Sequence, residues 1–216
     1  MQLLQTLFML VLVGVLAASV ISVGIMALMQ IARTRRLAGE ADAIGMRFAP
    51  EDPFDAPRRY ADFALVNNGH SPRASNVMYG RLGGRAVRAF DFRYEIGHGT
   101  RRVTRHYDVV VIETDSELPA SLMWHQDDRE FAPLAVRSGA QADIWSISGD
   151  LAFIEKARPP LDALAAAGAV SMQSCGTVLM LFAPELSRKE GYRHRISDAV
   201  GLMDVVDLPA SAPQAG

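Results

Sequence analysis

The sequence predicts an α+β protein: an N-terminal transmembrane helix, then an antiparallel β-meander, then a helix–hairpin–helix C-terminal part. Three observations carry that reading. No charged side chain precedes Arg33, and most of that stretch is apolar. Between residues 63 and 147, short apolar or alternating runs are separated by Gly- and Asn-rich turns. After Leu151 the apolar spacing becomes helical.

The first element is the anchor. Leu7 to Met29 is 23 residues without a charge, about 34 Å as a helix against a hydrocarbon core of about 30 Å. A secretory signal is a poor match, because Met1 to Thr6 has no basic side chain and the apolar run exceeds about 15 residues. Ala41-Asp42-Ala43 resembles a cleavage site but lies beyond the arginines, and no Cys stands near the span for a lipobox. The span is expected to be uncleaved. Arg33, Arg35 and Arg36 follow it, whereas the N-terminal flank has no Lys or Arg. By the positive-inside rule the N-terminus faces out and the domain is cytoplasmic, on the inner face of the cell membrane. Gly14, Ala18 and Ser22 recur every four residues, a small-residue face on which two spans could pack as a homodimer.

Ile31 to Gly45 continues as a helix, with Leu37, Ala41 and Ile44 on one face and Gly45 as C-cap. Met46-Arg47-Phe48 begins a short strand, and the three prolines between Pro50 and Pro57 argue for an irregular loop. Phe63–Val66 reads as a strand and Asn67–Pro72 as a turn. Asn76–Leu82 and Ala86–Ile96 flank Gly83-Gly84 as a hairpin, the second strand with Phe90, Phe92, Tyr94 and Ile96 on its one buried face. Gly97–Thr100 turns the chain into Val103–Thr114, where Val109–Ile112 is apolar on both sides, as a central strand requires. Leu118–Trp124 and Asp143–Ile147 are further strands. Leu151–Ala167 is an amphipathic helix interrupted or restarted at Pro159-Pro160. Ala169–Gln173 and Thr177–Phe182 form a hairpin around Ser174-Cys175-Gly176, and Ser187–Val206 closes the fold as a helix. The implied divisions are 1–32 as anchor, 33–57 as membrane-proximal helix and Pro-rich loop, 58–207 as globular domain and 208–216 as a disordered tail.

Composition narrows function mostly by exclusion. The net charge of −2 gives no global basic or acidic character, so no nucleic-acid partner is expected. The twenty arginines against two lysines reflect GC-rich coding, not a binding signal. The single Cys175 excludes an internal disulfide framework and fits a reducing compartment. Charge is uneven along the chain: residues 70–105 carry a net of +6, including Arg73, Arg81, Arg85, Arg88, Arg93, Arg101, Arg102 and Arg105, and residues 106–162 a net of −7. Either the two segments balance across the fold or the basic part faces anionic lipid.

The pattern resembles uncharacterised bacterial families of single-pass membrane proteins with a small cytoplasmic α+β domain. The resembling residues are the arginine-flanked span, Gly45-Met46-Arg47-Phe48 with Asp52-Pro53-Phe54, Gly69-His70 through Asn76-Val77-Met78-Tyr79-Gly80, and Phe90-Asp91-Phe92-Arg93-Tyr94. The resemblance covers Met1 to about Asp207. It implies fold and membrane context, and it supplies no catalytic residue.

Recognisable chemistry is sparse. The five histidines are scattered with no HxxxH, HxH or CxxC spacing, so no metal site is expected. There is no Walker loop, no GxGxxG and no GxSxG, so no cofactor is expected. One catalytic constellation is conceivable: His70 with Asn76, Asp91 and Tyr94, an imidazole held by a carboxylate as general base. The alternative is that His70 caps a turn while Asp91 pairs with Arg88 or Arg105. Cys175 lies in a tight turn with no base nearby in sequence. Trp124 and Trp145 flank the acidic stretch Gln126–Glu130, either as core residues or as a partner surface. The reading that best fits is a membrane-tethered cytoplasmic module that binds or scaffolds an unknown protein partner, its contact with the bilayer made through residues 7–29. Two alternatives stand beside it: a small membrane-anchored enzyme using His70 and Asp91, and a domain that senses anionic lipid through its arginine-rich meander.

Overall fold

A computed structural model describes residues 2–184 and 191–207. The chain divides into two compact units, residues 1–36 and residues 37 onward. The first unit is helical, the larger part of α1 (Gln2–Ala43). The helix over Met9–Ala43 has a mean hydropathy of 2.6 in its most apolar stretch and is long and apolar enough to cross a membrane. Its large side chains, Leu10, Leu16, Val20 and Leu28 among them, are exposed, as suits a surface solvated by lipid.

The second unit is α+β, as the sequence predicts. It opens with the end of α1, where Leu37 and Ala41 are fully buried in the domain core. The helix stops at Gly45, whose φ of 72° suits the left-handed C′ position. Gly45 N–H donates to Asp42 O at 3.2 Å and Met46 N–H to Ala41 O at 2.8 Å, the paired bonds of a Schellman cap.

The sheet has seven strands: β1 (Arg47–Glu51), β2 (His70–Leu82), β3 (Arg85–Ile96), β4 (Val103–His125), β5 (Ala140–Ala142), β6 (Trp145–Gly149) and β7 (Ser171–Pro184). Their order is β1-β2-β3-β4-β6-β5, with β7 also paired to β4 and every pairing antiparallel. Val109 pairs with Phe90 on one side and Phe182 on the other, and Ser121 with Gly149 and Ser174. One edge of β4 therefore serves β3 and then β6, while its other edge runs along β7. The short helices α2 (Ala56–Arg59) and α3 (Leu134–Arg137), with α4 (Leu151–Ala165) and α5 (Tyr192–Asp207), complete the unit.

Both sheet faces are covered. On one, Val87, Ala89, Val110 and Ile112 pack with Leu37 and Ala41 of α1, Phe153, Ile154 and Leu161 of α4, and Ile196, Leu202 and Met203 of α5. On the other, Phe90, Phe92, Tyr94, Val109, Val111 and Phe182 pack with Tyr60, Phe63 and Leu65 and with Ala132 and Val136. The expected single buried face of β3 is thus corrected: Val87 and Ala89 are as buried as Phe90 and Phe92.

Other expectations change for local reasons. Pro50 belongs to β1, because β1 is an edge strand and a proline there forfeits no ladder bond. Phe63–Val66 is a series of turns, with Val66 N–H and Asn67 N–H both donating to Phe63 O at 3.0 Å. Gln173 Oε1 accepts from Ala64 N–H at 2.7 Å and ties this segment to β7. β2 starts at His70, its pairing with β3 shifted by bulges near Ser71 and Asn76, both at positive φ. Val103–Thr114 and Leu118–Trp124 form one strand of 23 residues. The hairpin expected around Ser174-Cys175-Gly176 is a single strand too. Gly176 sits at a register shift against Leu118, so the chain bulges there without reversing. Gly83-Gly84 is the hairpin turn expected between β2 and β3. α4 runs through Pro159 and Pro160 and is capped by Asp150, which accepts from Phe153 N–H at 2.7 Å. The start of the closing helix expected from Ser187 and the tail at 208–216 lie outside the described residues.

Candidate functional site

The residues singled out from the sequence fall into separate networks. Asp91 lies on the face of β3 that α5 covers. Its Oδ2 accepts from Asn76 Nδ2 at 2.6 Å, and its Oδ1 accepts from the Tyr192 hydroxyl. The bulge at Asn76, φ 52°, sets that residue opposite the carboxylate. Asp108, the cross-strand neighbour of Asp91, takes Arg195 Nε at 3.3 Å. The first turn of α5 thus answers two adjacent carboxylates.

Tyr94 points to the opposite face, since positions three apart on a strand alternate sides. Its hydroxyl accepts from Asn68 Nδ2 at 2.9 Å and stands 3.4 Å from that of Tyr107. His70 is the first residue of β2 and pairs with Glu95 of β3, its Nε2 3.9 Å from the Glu95 carboxylate and its ring stacked on His98 at 5.3 Å. Asn76 and Asp91 are brought together; His70 and Tyr94 each sit elsewhere. Arg88 and Arg105 do not pair with Asp91, because each has a different acid.

Those acids form two networks that sequence spacing does not display. In the first, Tyr107 O–H donates to Asp128 Oδ2 at 2.7 Å and Arg105 Nη2 to Asp128 Oδ1 at 2.9 Å. Trp124 Nε1 donates to Asp128 O at 3.3 Å, and the Arg105 guanidinium lies 3.5 Å from the Phe131 ring centroid. Asp128 is 2 % exposed, and burial pushes its carboxyl above the usual range despite these donors. Burial likewise drives the Tyr107 hydroxyl far up, so it remains a neutral donor. In the second, Glu113 accepts from Arg88, from Arg59 Nη2 at 3.0 Å and from Tyr60 O–H at 3.2 Å. Burial alone raises Glu113, but Arg88 and Arg59 outweigh it and hold the carboxyl below the ordinary range. In both networks the carboxylate is answered by an arginine and a tyrosine, while Nε of Arg88 and of Arg105 is buried without a hydrogen-bond partner among the described residues; the pairing suits them to fixing the sheet faces.

Trp124 and Trp145 are fully buried, and Trp145 Nε1 donates to Asp162 at 2.7 Å. They belong to the core. Cys175 is a half-buried free thiol on β7. Among the described residues, no group of three or more His, Cys, Asp and Glu is arranged to hold a metal ion. On the span, Gly14, Ala18 and Ser22 are exposed, and the Ser22 hydroxyl donates to Ala18 O at 2.8 Å.

The charge asymmetry is partly absorbed across the fold. Arg88 and Arg105 meet acids of the 106–162 segment, Arg85 meets Asp204 and Asp207, and Arg102 meets Glu95 at 3.2 Å. Open hollows lined by arginines include one of about 470 Å³ beside Arg81, Arg85, Glu113, Asp115 and Asp207, and two others. One, about 340 Å³, is lined by Arg47, Phe54, Tyr79, Arg81 and Arg88. The other, about 250 Å³, is lined by Ser71, Arg73, Arg93, Glu95, Arg102 and Thr104.

No protein-family model matches the chain, and no curated protein matches it. A solved structure does resemble it: the crystal structure of the mycobacterial trehalose monomycolate transport factor A, TtfA. The likeness covers 84 % of this chain and 98 % of that one, with a TM-score of 0.55 and 15 % identity. At that identity the likeness establishes a common fold.

Proposed function

We propose that this chain is a membrane-tethered accessory factor in lipid transport, its domain on the cytoplasmic side and acting by binding or scaffolding a protein partner. The observation that carries the reading is the fold likeness to a trehalose monomycolate transport factor along 98 % of its solved chain. The apolar helix over Met9–Ala43 supports it with a means of tethering. Arg33, Arg35 and Arg36 favour the cytoplasmic side. Binding is preferred to catalysis because Asp91 and Tyr94 face opposite sides of β3 and His70 is engaged with Glu95.

The test is a pulse–chase of labelled envelope lipid in cells depleted of the protein. Transfer out of the inner membrane is expected to slow, with recovery on re-expression of the full chain and none from a chain lacking residues 1–32. Unchanged transfer on depletion would remove the proposal.

A further inference from the structure

We infer that the hollow at the β2–β3–β4 end of the sheet is a phosphate-binding site, with Arg73 and Arg93 as its clamp. The two arginines are directly opposed partners in the β2–β3 ladder, so both side chains leave the same face with Cβ atoms about 5 Å apart. Like charges at such a position are destabilising unless something answers them. Among the described residues, neither guanidinium has an acid or acceptor partner, and both residues are exposed. The nearest acid lining the hollow, Glu95, is already shared by Arg102 at 3.2 Å and His70 at 3.9 Å.

Ser71 and Thr104, each carrying a hydroxyl, line the same space. Two guanidinium forks with hydroxyl donors beside them match the several oxygens of a phosphate group, which accepts charge-assisted, bidentate bonds. Size limits the ligand further. At about 250 Å³ the hollow falls short of the roughly 300–1,000 Å³ that encloses a whole small molecule. It therefore suits a headgroup phosphate, with the rest of the ligand outside. Assigning that phosphate to a lipid rests on the lipid-transport reading; the phosphate chemistry rests on the arginine pair alone.

The test uses the full chain in non-ionic detergent, followed by ³¹P line broadening and native mass spectrometry. The probes are inorganic phosphate, phosphatidylglycerol and, as an uncharged control, diacylglycerol. Phosphatidylglycerol is expected to bind and diacylglycerol not to bind. The Arg73→Gln/Arg93→Gln double variant should lose at least about tenfold in affinity, and Arg58→Gln should bind as the wild type does. Raising salt from about 50 to about 500 mM should weaken binding. Because the pair is repulsive when empty, the double variant should melt no lower than wild type, which separates lost binding from lost folding. Inorganic phosphate binding as tightly as the lipid would uphold the site and reassign its source to a free phosphate, whatever the depletion experiment shows. Equal lipid binding by wild type and double variant, or no binding of either phosphate probe, would overturn the inference.

Discussion

Asp128 and Glu113 each take donors from an arginine and a tyrosine, yet they respond to pH with opposite signs. For Asp128 burial outweighs its donors, and the folded-state pKa lies above the ordinary 3.8. Its contribution to stability is complete below 3.8 and is lost as pH rises through the raised value. For Glu113 the two arginines outweigh burial, and the folded-state pKa lies below 4.5. Its contribution is present above 4.5 and is lost as pH falls through the lowered value. Glu113→Gln at neutral pH should cost about 2–3 kcal/mol, since it removes the charged acceptor of half-buried Arg88. On moving from about pH 7 to about pH 4, the stability gap between wild type and Glu113→Gln should shrink. Over the same change the gap between wild type and Asp128→Asn should shift in favour of wild type. Denaturant unfolding of the full chain in detergent measures both, and gaps that move together would refute the opposed assignment.

At the scale of elements, the end of α1 is built into the domain it precedes. Leu37 is fully buried among core residues, whereas Leu16 on the span is 58 % exposed. Leu37→Ala should therefore destabilise the domain by about 2–5 kcal/mol, and Leu16→Ala should leave its unfolding midpoint unchanged. Equal midpoints for both variants would show that the helix end contributes nothing to the core. This burial is legible in the sequence, because Leu37, Ala41 and Ile44 repeat at helical spacing and Gly45 marks the stop. Strand ends are less legible. Nothing in the sequence separates a bulge at Gly176 from a turn there, since either accepts a left-handed glycine; only pairing with β4 decides. Phe63–Val66 is apolar enough for a strand, but no neighbouring strand pairs with it: Phe63 and Val66 N–H close locally, and Ala64 N–H goes to the Gln173 side chain. The polar networks are the least legible. Glu113 meets Arg59 from 54 residues away, and Asp91 meets Tyr192 from 101 residues away; no local spacing encodes such a meeting. The Arg73–Arg93 pair needs the exact register of β2 against β3, which two bulges displace.

For the molecule as a whole, orientation decides which compartment the domain can serve. Charge is asymmetric about the span: three arginines within four residues follow it, whereas Met1 to Thr6 carries no Lys or Arg. The lone Cys175 agrees with a reducing compartment but has no weight by itself. Replacing Cys175 by Ser frees the chain for single-cysteine reporters. Arg101→Cys places a thiol at the exposed turn between β3 and β4, and Gln5→Cys places one at an exposed position ahead of the span. A membrane-impermeant maleimide applied to spheroplasts should label Gln5→Cys at once and Arg101→Cys only after lysis. With Arg33, Arg35 and Arg36 all changed to Gln, the cluster of positive charge beside the span is removed, and a fraction of Arg101→Cys should become reactive in intact spheroplasts. Labelling of Arg101→Cys before lysis in the otherwise native chain would place the domain outside. The proposed scaffolding role would then have to be sought among partners on that side, and the phosphate of the inferred site would come from the outer leaflet.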